Sequence, residues 1–363
     1  MRILIGTPEQ GSRGGPATCE PPFNAELRRL GHEVDEEVYA FAESDAALTD
    51  RARRVFRTAR RFRALVRVGK YDLVHINTSF DTKALLRDSL VVPRLHGLGA
   101  KIFLKLHGSD AELLRTSNPA LVVARQRLLS RADGVGVLSS EERSNFLRFG
   151  VHEDKLFQIK NVVAPNPRER TTDFFERWNL PSDVPLLLFI ARFIPAKGLL
   201  DVIRAGAILR DRGAKFMLLC IGDGPERDKA QREVERLNVR EQVRFPGYIS
   251  EEQASAFYAN STVLLFPTYH YEGFPLVIFN AATAGLPLIT TRIRAAADYL
   301  REPDNCLWVT PQQPGLLAEK IIDLLNDSEL RARMSENNKQ LSAQFSAEVV
   351  TREYVAAYET LVS

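Results

Sequence analysis

Short apolar runs alternate with amphipathic helical patterns along the whole of this 363-residue chain. Such alternation is typical of βαβ units, in which helices connect parallel strands. Strands are predicted at 2–6, 33–39, 73–76, 101–105, 134–138 and 157–159, and then at 186–191, 215–221, 243–245, 263–266 and 288–291. The pattern therefore predicts an α/β protein with parallel sheets.

The length of the chain predicts two domains, because 363 residues exceed what one compact core of ordinary size holds. The break falls in a polar stretch at 161–185 that contains four prolines. We place the boundary after Pro165, with an N-terminal domain at 1–165 and a C-terminal domain at 166–346. The end of the chain, 347–363, is helical by pattern from Ala347 to Leu361.

The composition is that of a soluble globular protein, with 45% hydrophobic and 26% charged residues. The net charge of +3 is unevenly distributed. Up to Pro165 there are 26 basic and 20 acidic residues, whereas the remainder has 23 basic and 26 acidic residues. We therefore expect the N-terminal domain to prefer an anionic partner.

Three cysteines, Cys19, Cys220 and Cys306, lack metal-ligand spacing and cannot all pair. This favours a reducing compartment, and we expect a cytoplasmic protein. Cys220 lies inside an apolar strand pattern and is predicted to be a buried small hydrophobe. No signal peptide is apparent, and no apolar run reaches the roughly 18 residues that span a bilayer. Any membrane contact is expected to be peripheral.

Two loops in the C-terminal half carry charged residues directly after predicted strands. Arg192 and Lys197, five residues apart, are suited to clamping a diphosphate. Glu272 lies in a Pro- and Gly-bounded loop before a helix predicted at 276–284, with Pro275 at its first position. A helix N-terminus presents free N–H groups and a positive dipole end to an anion. These loops therefore predict an anion-binding site.

Short motifs connect these loops to the rest of the chain. They lie at 2–5 leading into 14–16, 31–34, 71–75, 107–110, 192–198, 222–225, 245–248 and 267–275. Each motif is weak alone, but in this order and spacing they resemble the retaining glycosyltransferases of family 4, the glycosyl transferases group 1. The resemblance spans nearly the whole chain. It implies the GT-B fold, in which two Rossmann-like domains face each other across a cleft. In that fold a C-terminal helix, here at about 347–363, crosses back to pack on the N-terminal domain.

The resemblance also implies a reaction. A nucleotide-diphosphate sugar, UDP- or GDP-linked, would lie on the C-terminal domain and the acceptor on the N-terminal domain. Arg192 and Lys197 would stabilise the leaving diphosphate, and Glu272 would meet the hydroxyls of the donor sugar. His107 would contact the C6 region of that sugar or its reacting face, and Gly15 would line the cleft. A phosphate oxygen takes the proton of the acceptor in this family, so no dedicated base is expected.

The family further implies binding residues on the C-terminal domain. Backbone groups near Gly273, Phe274 and Leu276 would meet the diphosphate, and those at Gly222, Gly247, Tyr248 and Ile249 would meet the base. Asn280 stands where the family usually carries a second Glu that accepts hydrogen bonds from both ribose hydroxyls. An amide accepts only at its oxygen, so the ribose is bound more weakly or differently, unless Asn280 is an ordinary helix-surface residue.

Plain structural roles stay open for each of these residues. Glu272 could be an exposed loop carboxylate, His107 a structural histidine, and the Arg192–Lys197 pair a chance surface pair. His270 could approach the acceptor. No Asp-x-Asp motif occurs in a suitable loop, and two cations with a helix dipole would make a metal unnecessary. We expect no metal and no cofactor.

The segment Arg51 to Arg67 holds eight arginines and no acidic residue. Val55, Ala59, Phe62 and Val66 form an apolar stripe on its helical wheel. The segment is either a helix packed on the first sheet with a solvated basic face, or a surface that adsorbs to anionic lipid. Nucleic acid is not expected, because interleaved aromatic residues are missing.

Four functions are compatible with these patterns. A glycosyltransferase acting in cell-envelope glycan, glycolipid or polysaccharide synthesis is favoured. An epimerase of similar fold would consume the nucleotide sugar without an acceptor. A phosphorylase would need a pyridoxal Schiff-base lysine, for which no motif argues. A catalytically silent partner protein is the non-enzyme alternative, and Asn280 motivates it.

Overall fold

The computed structural model of the protein describes residues 1–9, 14–40, 47–165 and 173–363. The chain divides into two compact units. The N-terminal unit comprises Met1–Val162, Tyr271–Phe274 and Phe345–Ser363, and the C-terminal unit comprises Val163–His270 and Pro275–Gln344. The division thus falls after Val162, three residues before the boundary placed from the sequence. The residues immediately after that boundary, 166–172, lie outside the described part of the chain.

The described residues form strands in both units. They are β1 Arg2–Pro8, β2 Glu33–Ala40, β3 Leu73–Phe80, β4 Lys101–Ser109, β5 Gly134–Val137, β6 Leu156–Gln158, β7 Leu186–Ile190, β8 Met217–Ile221, β9 Val243–Gly247, β10 Val263–Phe266, β11 Leu288–Thr290 and β12 Cys306–Trp308. Each ladder between neighbouring strands is parallel. The predicted α/β class with parallel sheets is confirmed.

Helices connect these strands. They are α1 Gly15–Arg29, α2 Leu48–Gly69, α3 Thr82–Leu95, α4 Ala111–Arg115, α5 Pro119–Arg131, α6 Ser140–Arg148, α7 Asp173–Arg177, α8 Leu199–Asp211, α9 Arg227–Arg236, α10 Glu251–Asn260, α11 Leu276–Thr283, α12 Arg294–Tyr299, α13 Pro314–Asn326, α14 Ser328–Ser342 and α15 Ala347–Val362. No helix in the described part of the chain is long and apolar enough to cross a membrane.

The N-terminal unit is built on a sheet of order β2-β1-β3-β4-β5-β6. Its central strands are buried on both faces, as parallel strands covered by helices are. The chain runs outward from β1 to β2 and then returns to β3, so the strand order reverses between β1 and β3. The last helix, α15, belongs to this unit and packs its Tyr354 ring against Phe23 of α1, with ring centroids 4.6 Å apart.

The C-terminal unit is built on a second sheet, of order β12-β11-β10-β7-β8-β9. The chain builds outward from β7 through β8 to β9 and then returns to β10 beside β7. Open α/β sheets bind ligands outside the carboxyl ends of their strands, at the point where the strand order reverses. In this sheet the order reverses between β7 and β10, so the loops that follow these two strands are the expected ligand-binding edge. Cys220 is fully buried in β8, as predicted.

Helix α2 contains the arginine-rich segment. Ala59, Phe62 and Val66 are buried in the core of the N-terminal unit, and Val55 packs against that core. The apolar stripe predicted from the sequence is therefore the buried face of a helix that packs on the first sheet. The arginines occupy the other faces, and Arg61 reaches Glu37 at 2.8 Å.

Several element boundaries differ from the prediction. Strands β3 and β4 continue to Phe80 and Ser109, several residues beyond their predicted ends, because polar residues extend the apolar runs into the sheet. His107 thus lies within β4, two residues beyond the predicted end of that strand at residue 105. Gly15 begins helix α1, and Gly14 precedes it at φ 107°. The short strand β12 was not predicted.

Candidate functional site

Basic side chains occupy three neighbouring loops of the C-terminal unit. Arg192 and Lys197 follow β7, His270 follows β10, and Arg294 follows β11. Strands β7, β10 and β11 are adjacent and parallel, so their carboxyl ends meet at one edge of the sheet. These residues lie where the strand order reverses, which is the ligand-binding edge of such a sheet.

The loops are held together by backbone-directed hydrogen bonds. Ala196 O accepts from Tyr269 N at 2.8 Å and from Thr268 Oγ1 at 3.0 Å. Thr291 Oγ1 donates to Thr268 O and so joins the loop after β11. Gly198 has φ 82°, and a Cβ there would lie 2.7 Å from Pro267 O, so only glycine fits. Hydrogen bonds therefore hold together the loops that carry the basic residues.

The basic groups perturb one another. Lys197 is buried, and burial, followed by the charge of Arg192, lowers its pKa to about 7. Its ammonium lies 5.5 Å from the centroid of the Phe266 ring. Burial and then the charges of Lys197, Arg192 and Arg294 lower the pKa of His270 to about 4, so this imidazole is neutral at pH 7. The positive charge that depresses these pKa values favours a bound anion.

Arg294 is a member of this group that the sequence reading missed. It is buried and has φ 40°, in the left-handed region where a non-glycine residue costs about 1–3 kcal/mol. Such strain persists only where the surroundings hold the residue in place. A single arginine at the first position of a short helix carries no sequence signal for this conformation.

Of the two glycines predicted to lie near the base, Gly222 has a packing role. Gly222 has φ 134°, and a Cβ there would lie 1.8 Å from Ala191 O, so a side chain is excluded. The loop after β8 therefore rests directly on the loop after β7. Gly247 has φ 88° at the end of β9, where Tyr248 is 54% exposed and Ile249 is buried.

Asn280 lies half-buried on α11 and has defined partners. Its Nδ2 donates to Glu251 Oε2 at 3.4 Å, and its side chain also hydrogen-bonds to the hydroxyl of Tyr258. Burial raises the pKa of Glu251. A carboxylate therefore stands directly beside the amide, on α10. This arrangement is inconsistent with an ordinary solvent-facing asparagine.

The Glu272 loop groups with the N-terminal unit. A Cβ on Gly108 would lie 3.4 Å from Tyr271 O, and a Cβ on Gly273 would lie 3.1 Å from Glu142 Oε2. The loop thus lies beside the end of β4 at Gly108 and against Glu142 of α6 at Gly273, where a side chain would be crowded. Glu272 is half-buried. The structure thus brings the segment of His107 and the segment of Glu272 together.

The ends of the Glu272 loop are anchored differently. Phe274 is buried, with its ring centroid 5.5 Å from that of Phe345. Pro275 is the residue before α11 and not its first residue, and Leu276 begins the helix. Helix α11 ends at Thr283, one residue before the predicted end.

His107 lies near the end of β4 in a buried polar cluster. Its Nε2 lies 2.9 Å from Asn77 Oδ1 and 3.6 Å from Glu20 Oε1. Lys105 Nζ lies 2.6 Å from the same Glu20 oxygen. Burial, followed by the charge of Lys105, lowers the pKa of His107 to about 3. Asn77, Lys105 and Glu20 were not predicted as site residues.

The ion pair explains the charge states in this cluster. Burial alone would raise the pKa of Glu20, but Lys105, His107 and His75 together lower it to about 2. Burial alone would lower the pKa of Lys105, and the Glu20 carboxylate raises it instead. Both groups are therefore charged at neutral pH. His75 is buried and hydrogen-bonded to Tyr358 of α15.

Cys19, Glu20 and His107 offer ligand atoms that all lie within 4.8 Å of one another. The Lys105 ammonium occupies the carboxylate, and burial raises the pKa of Cys19 to about 12, so its thiol stays protonated. A cation would have to displace an ammonium and a proton from a buried site. The residues fit a charge-paired polar cluster better than a metal centre.

Gly15 is the first residue of α1, after the strand β1. Gly14 has φ 107°, in the left-handed region that favours glycine, and no atom of the described residues lies within 4 Å of the position of a Cβ. The residues between β1 and Gly14, 10–13, lie outside the described part of the chain. The start of α1 thus lies at the carboxyl end of β1, beside the order reversal of the first sheet.

Comparisons with known proteins agree with this architecture. A family model described as Glycosyl transferases group 1 matches residues 170–341, and one described as Glycosyltransferase Family 4 matches residues 23–166. A glycosyltransferase of Methanocaldococcus jannaschii is 27% identical over 302 residues, covering 80% of this chain and 76% of that protein. The D-inositol 3-phosphate glycosyltransferase of Corynebacterium glutamicum is 26% identical over 310 residues, covering 81% and 73%.

The fold is also found among solved structures. Anabaena HepE, solved in complex with UDP and glucose, superposes with a TM-score of 0.78 at 20% sequence identity. The match covers 99% of each chain. Two six-stranded parallel sheets with flanking helices are thus shared over the full length of both proteins.

Proposed function

This chain belongs to the GT-B glycosyltransferases of family 4, the glycosyl transferases group 1, and we propose that it transfers a sugar with retention from a nucleotide-diphosphate sugar to an acceptor hydroxyl. The basic group on the loops after β7, β10 and β11 carries this proposal. Arg192, Lys197 and Arg294 place positive charge at the reversal point of the second sheet, where a diphosphate would bind. Charge that builds on the leaving diphosphate is stabilised there as the glycosidic bond breaks.

The same residues support a reaction that needs neither metal nor cofactor. Three basic side chains and the N-terminus of α11 supply the positive charge that a divalent ion supplies elsewhere. In this proposal Glu272 orients the donor sugar, and the N–H groups at Gly273, Phe274 and Leu276 meet the diphosphate. A phosphate oxygen takes the proton of the acceptor.

A UDP-sugar is the donor we propose, with a GDP-sugar as the alternative. HepE, whose fold is shared, was solved with UDP and glucose, which supports this choice. The exposed ring of Tyr248 and the backbone at Gly222, Gly247 and Ile249 would face the base. Asn280 would meet the ribose. A sugar or lipid-linked acceptor in cell-envelope, glycolipid or polysaccharide synthesis would bind on the N-terminal unit, near Gly15 and His107.

A thermal-shift panel of UDP-, GDP- and dTDP-sugars tests the donor assignment. A ligand at 100 times its dissociation constant stabilises the protein by about 2.7 kcal/mol, so one nucleotide should stand out. NMR of the product then reports whether the anomeric configuration is retained, and the reaction should persist in EDTA. Loss of activity in EDTA would contradict metal independence, and an inverted product would contradict retention.

Changes to the basic group test the diphosphate assignment. Arg192→Ala and Lys197→Ala should each lower turnover by roughly 10²-fold or more, because the cations act on charge that appears during bond breaking. Arg212→Ala is the matched control, since this exposed arginine lies at the far end of α8, 3.9 Å from Glu319. Turnover within threefold of wild type for both Arg192→Ala and Lys197→Ala would overturn the assignment.

The alternatives predict different outcomes in the same assay. An epimerase would convert the nucleotide sugar with no acceptor present, whereas an unaltered nucleotide sugar after long incubation excludes it. A silent partner protein would bind nucleotide without turnover of the donor.

We also propose that α2 adsorbs to anionic lipid and so brings the enzyme to a lipid-linked acceptor. Its inner face packs on the sheet, which leaves Arg53, Arg57, Arg60 and Arg61 exposed. Phe56 is 51% exposed on this helix. Each arginine near an anionic surface contributes about 1 kcal/mol, which supports peripheral binding.

Co-sedimentation with anionic vesicles tests this surface. Changing Arg53, Arg57, Arg60 and Arg61 together to Gln should abolish sedimentation at low salt while hydrolysis of the donor persists. The control carries the same change at four exposed arginines of the C-terminal unit, namely Arg212, Arg232, Arg236 and Arg240. Equal sedimentation of the α2 variant and the wild type would overturn the proposal.

A further inference from the structure

The two ring nitrogens of His107 differ in their contacts: Nε2 has a hydrogen-bond partner, and Nδ1 has none among the described residues. Nε2 lies 2.9 Å from Asn77 Oδ1. Nδ1 is buried and has no hydrogen-bond partner in the part of the chain that the structure describes. Nδ1 is a donor if it carries the hydrogen of the neutral ring and an acceptor if Nε2 carries it. The orientation of the Asn77 amide determines which nitrogen carries the hydrogen.

The orientation of the Asn77 amide follows from its other neighbours. Its Nδ2 donates to Gly6 O at 3.2 Å and to Glu20 Oε2 at 2.9 Å. Both are pure acceptors, because the first is a backbone carbonyl and the second is an ionised carboxylate. The flipped amide would direct its own oxygen at two acceptors. Oδ1 must therefore face the histidines.

Two imidazoles point a nitrogen at this one oxygen. His107 Nε2 lies 2.9 Å away and His75 Nε2 lies 3.3 Å away. Because Oδ1 can only accept, each Nε2 must carry a hydrogen. A neutral imidazole with its hydrogen on Nε2 has a bare Nδ1. For His75 this bare nitrogen accepts from the hydroxyl of Tyr358. For His107 no such donor is present among the described residues.

The charge of the cluster keeps both rings neutral. Lys105 and Glu20 form a buried ion pair, with Nζ and Oε1 2.6 Å apart. The ammonium opposes a second positive charge beside it, and burial together with this ammonium lowers the pKa of His107 to about 3. The Glu20 carboxylate accepts from Lys105 and Cys19 at Oε1 and from Asn77 at Oε2.

We propose that Asn77 and Glu20 are positioning residues that hold His107 with its hydrogen on Nε2, so that the bare Nδ1 accepts a hydrogen bond from a hydroxyl of the substrate. A buried acceptor without a donor costs about 1–3 kcal/mol, and a hydroxyl removes that cost on binding. Recognition of a sugar hydroxyl rests on the proposed glycosyl transfer. The protonation state that we propose for His107 in the free protein is independent of that function.

NMR of the ¹⁵N-histidine-labelled protein at pH 7 tests the tautomer directly. Long-range ¹H–¹⁵N correlations distinguish an N–H nitrogen from a bare one, and loss of signals in His107→Gln assigns the residue among the six histidines. We expect Nε2–H and a bare Nδ1 in the wild type. A hydrogen on Nδ1, or a charged ring, would overturn the proposal without any variant of the network.

Variants then test which residues hold the tautomer. Asn77→Ala removes the acceptor and should give a mixture of the two His107 tautomers, and Glu20→Gln should do the same by freeing the amide to flip. Tyr358→Phe is the matched control, because it removes the partner of His75 and leaves that of His107. An unchanged tautomer in folded Asn77→Ala and Glu20→Gln would overturn the proposal.

Turnover of the donor completes the test. Asn77→Ala should lower kcat/KM about five- to tenfold, the size of one lost hydrogen bond, whereas Tyr358→Phe should stay within twofold. Equal losses in the two variants would assign Asn77 a merely structural role. If the wild type shows the expected tautomer but transfers no sugar, the proposed function fails while the positioning network stands.

Discussion

Lys197 should take up a proton when a nucleotide diphosphate binds. The side chain is buried beside Arg192, and burial and that charge lower its pKa to about 7. A bound diphosphate places negative charge against the same ammonium and returns the pKa toward its ordinary value near 10.5. Binding therefore converts a partly neutral lysine into a charged one.

The size of the effect follows from the pKa. At pH 7 about half of the free protein carries a neutral Lys197, and at pH 8 about nine-tenths does. Binding of UDP should thus take up about 0.5 proton at pH 7 and about 0.9 proton at pH 8. The dissociation constant should rise up to about tenfold per pH unit above pH 7.

Isothermal titration calorimetry with UDP in buffers of different ionisation enthalpy measures this uptake. Lys197→Arg is the matched control, because arginine stays charged and should bind UDP without taking up a proton. A wild-type uptake below about 0.2 proton at pH 8 would refute either the burial of a depressed lysine or its contact with the diphosphate. Loss of UDP binding in Lys197→Met with normal uptake in wild type would support both.

Lys197 should also make the free energy of unfolding rise with pH. Its pKa in the folded protein, about 7, lies below the unfolded value near 10.5, so the unfolded chain binds more protons between these pH values. The free energy of unfolding should therefore gain up to about 1.4 kcal/mol per pH unit from this group as pH rises through that window. Lys197→Met should remove this contribution.

Three further perturbations follow from the described contacts. Burial lowers the pKa values of His75 and His107 to about 4 and 3, so the unfolded chain binds more protons than the folded protein below pH 6.5. The free energy of unfolding, measured with urea, should therefore fall from pH 6.5 to 5 by up to about 1.4 kcal/mol per pH unit for each ring. His107→Gln should remove the contribution of one ring. Asn280→Glu should weaken UDP binding or stability by about 1–2 kcal/mol, because it faces the Glu251 carboxylate across 3.4 Å, and a second change, Glu251→Gln, should reverse the loss in calorimetry. Arg294→Gly should be more stable than Arg294→Ala by about 1 kcal/mol in thermal unfolding, because φ is 40°, while both should lower donor turnover by at least tenfold.

The sequence predicted the fold because its main signal is local. The eleven apolar runs it identified all form strands, and their alternation with helices determines a parallel arrangement. Their ends were less accurate where polar residues enter the sheet. Strand β4 continues past Lys105, a residue that the apolar pattern placed at the strand end. Its burial depends on Glu20, which lies 85 residues away in the chain.

Arg192 and Lys197 were found for a related reason. They follow a strongly apolar strand and lie close together, so strand and charge appear in one short window of sequence. Arg294 belongs to the same basic group but comes about a hundred residues later, after a three-residue strand. Only the order of strands in the sheet places it beside the others. The sequence pattern did not reveal the order of the strands in the sheet, and Arg294 was therefore missed.

The structure changes the interpretation of Asn280, because it shows a carboxylate beside this residue. Read along the chain, an amide in place of a carboxylate removes a negative charge from α11. In the folded unit Glu251 of the preceding helix lies within reach of that amide, so a carboxylate is still present at this place on the surface. Burial already raises the pKa of Glu251, and a second carboxylate at position 280 would raise it further. The pair Asn280–Glu251 is thus the unit on which selection of the nucleotide should be tested, because a carboxylate at position 280 shifts the pKa of Glu251.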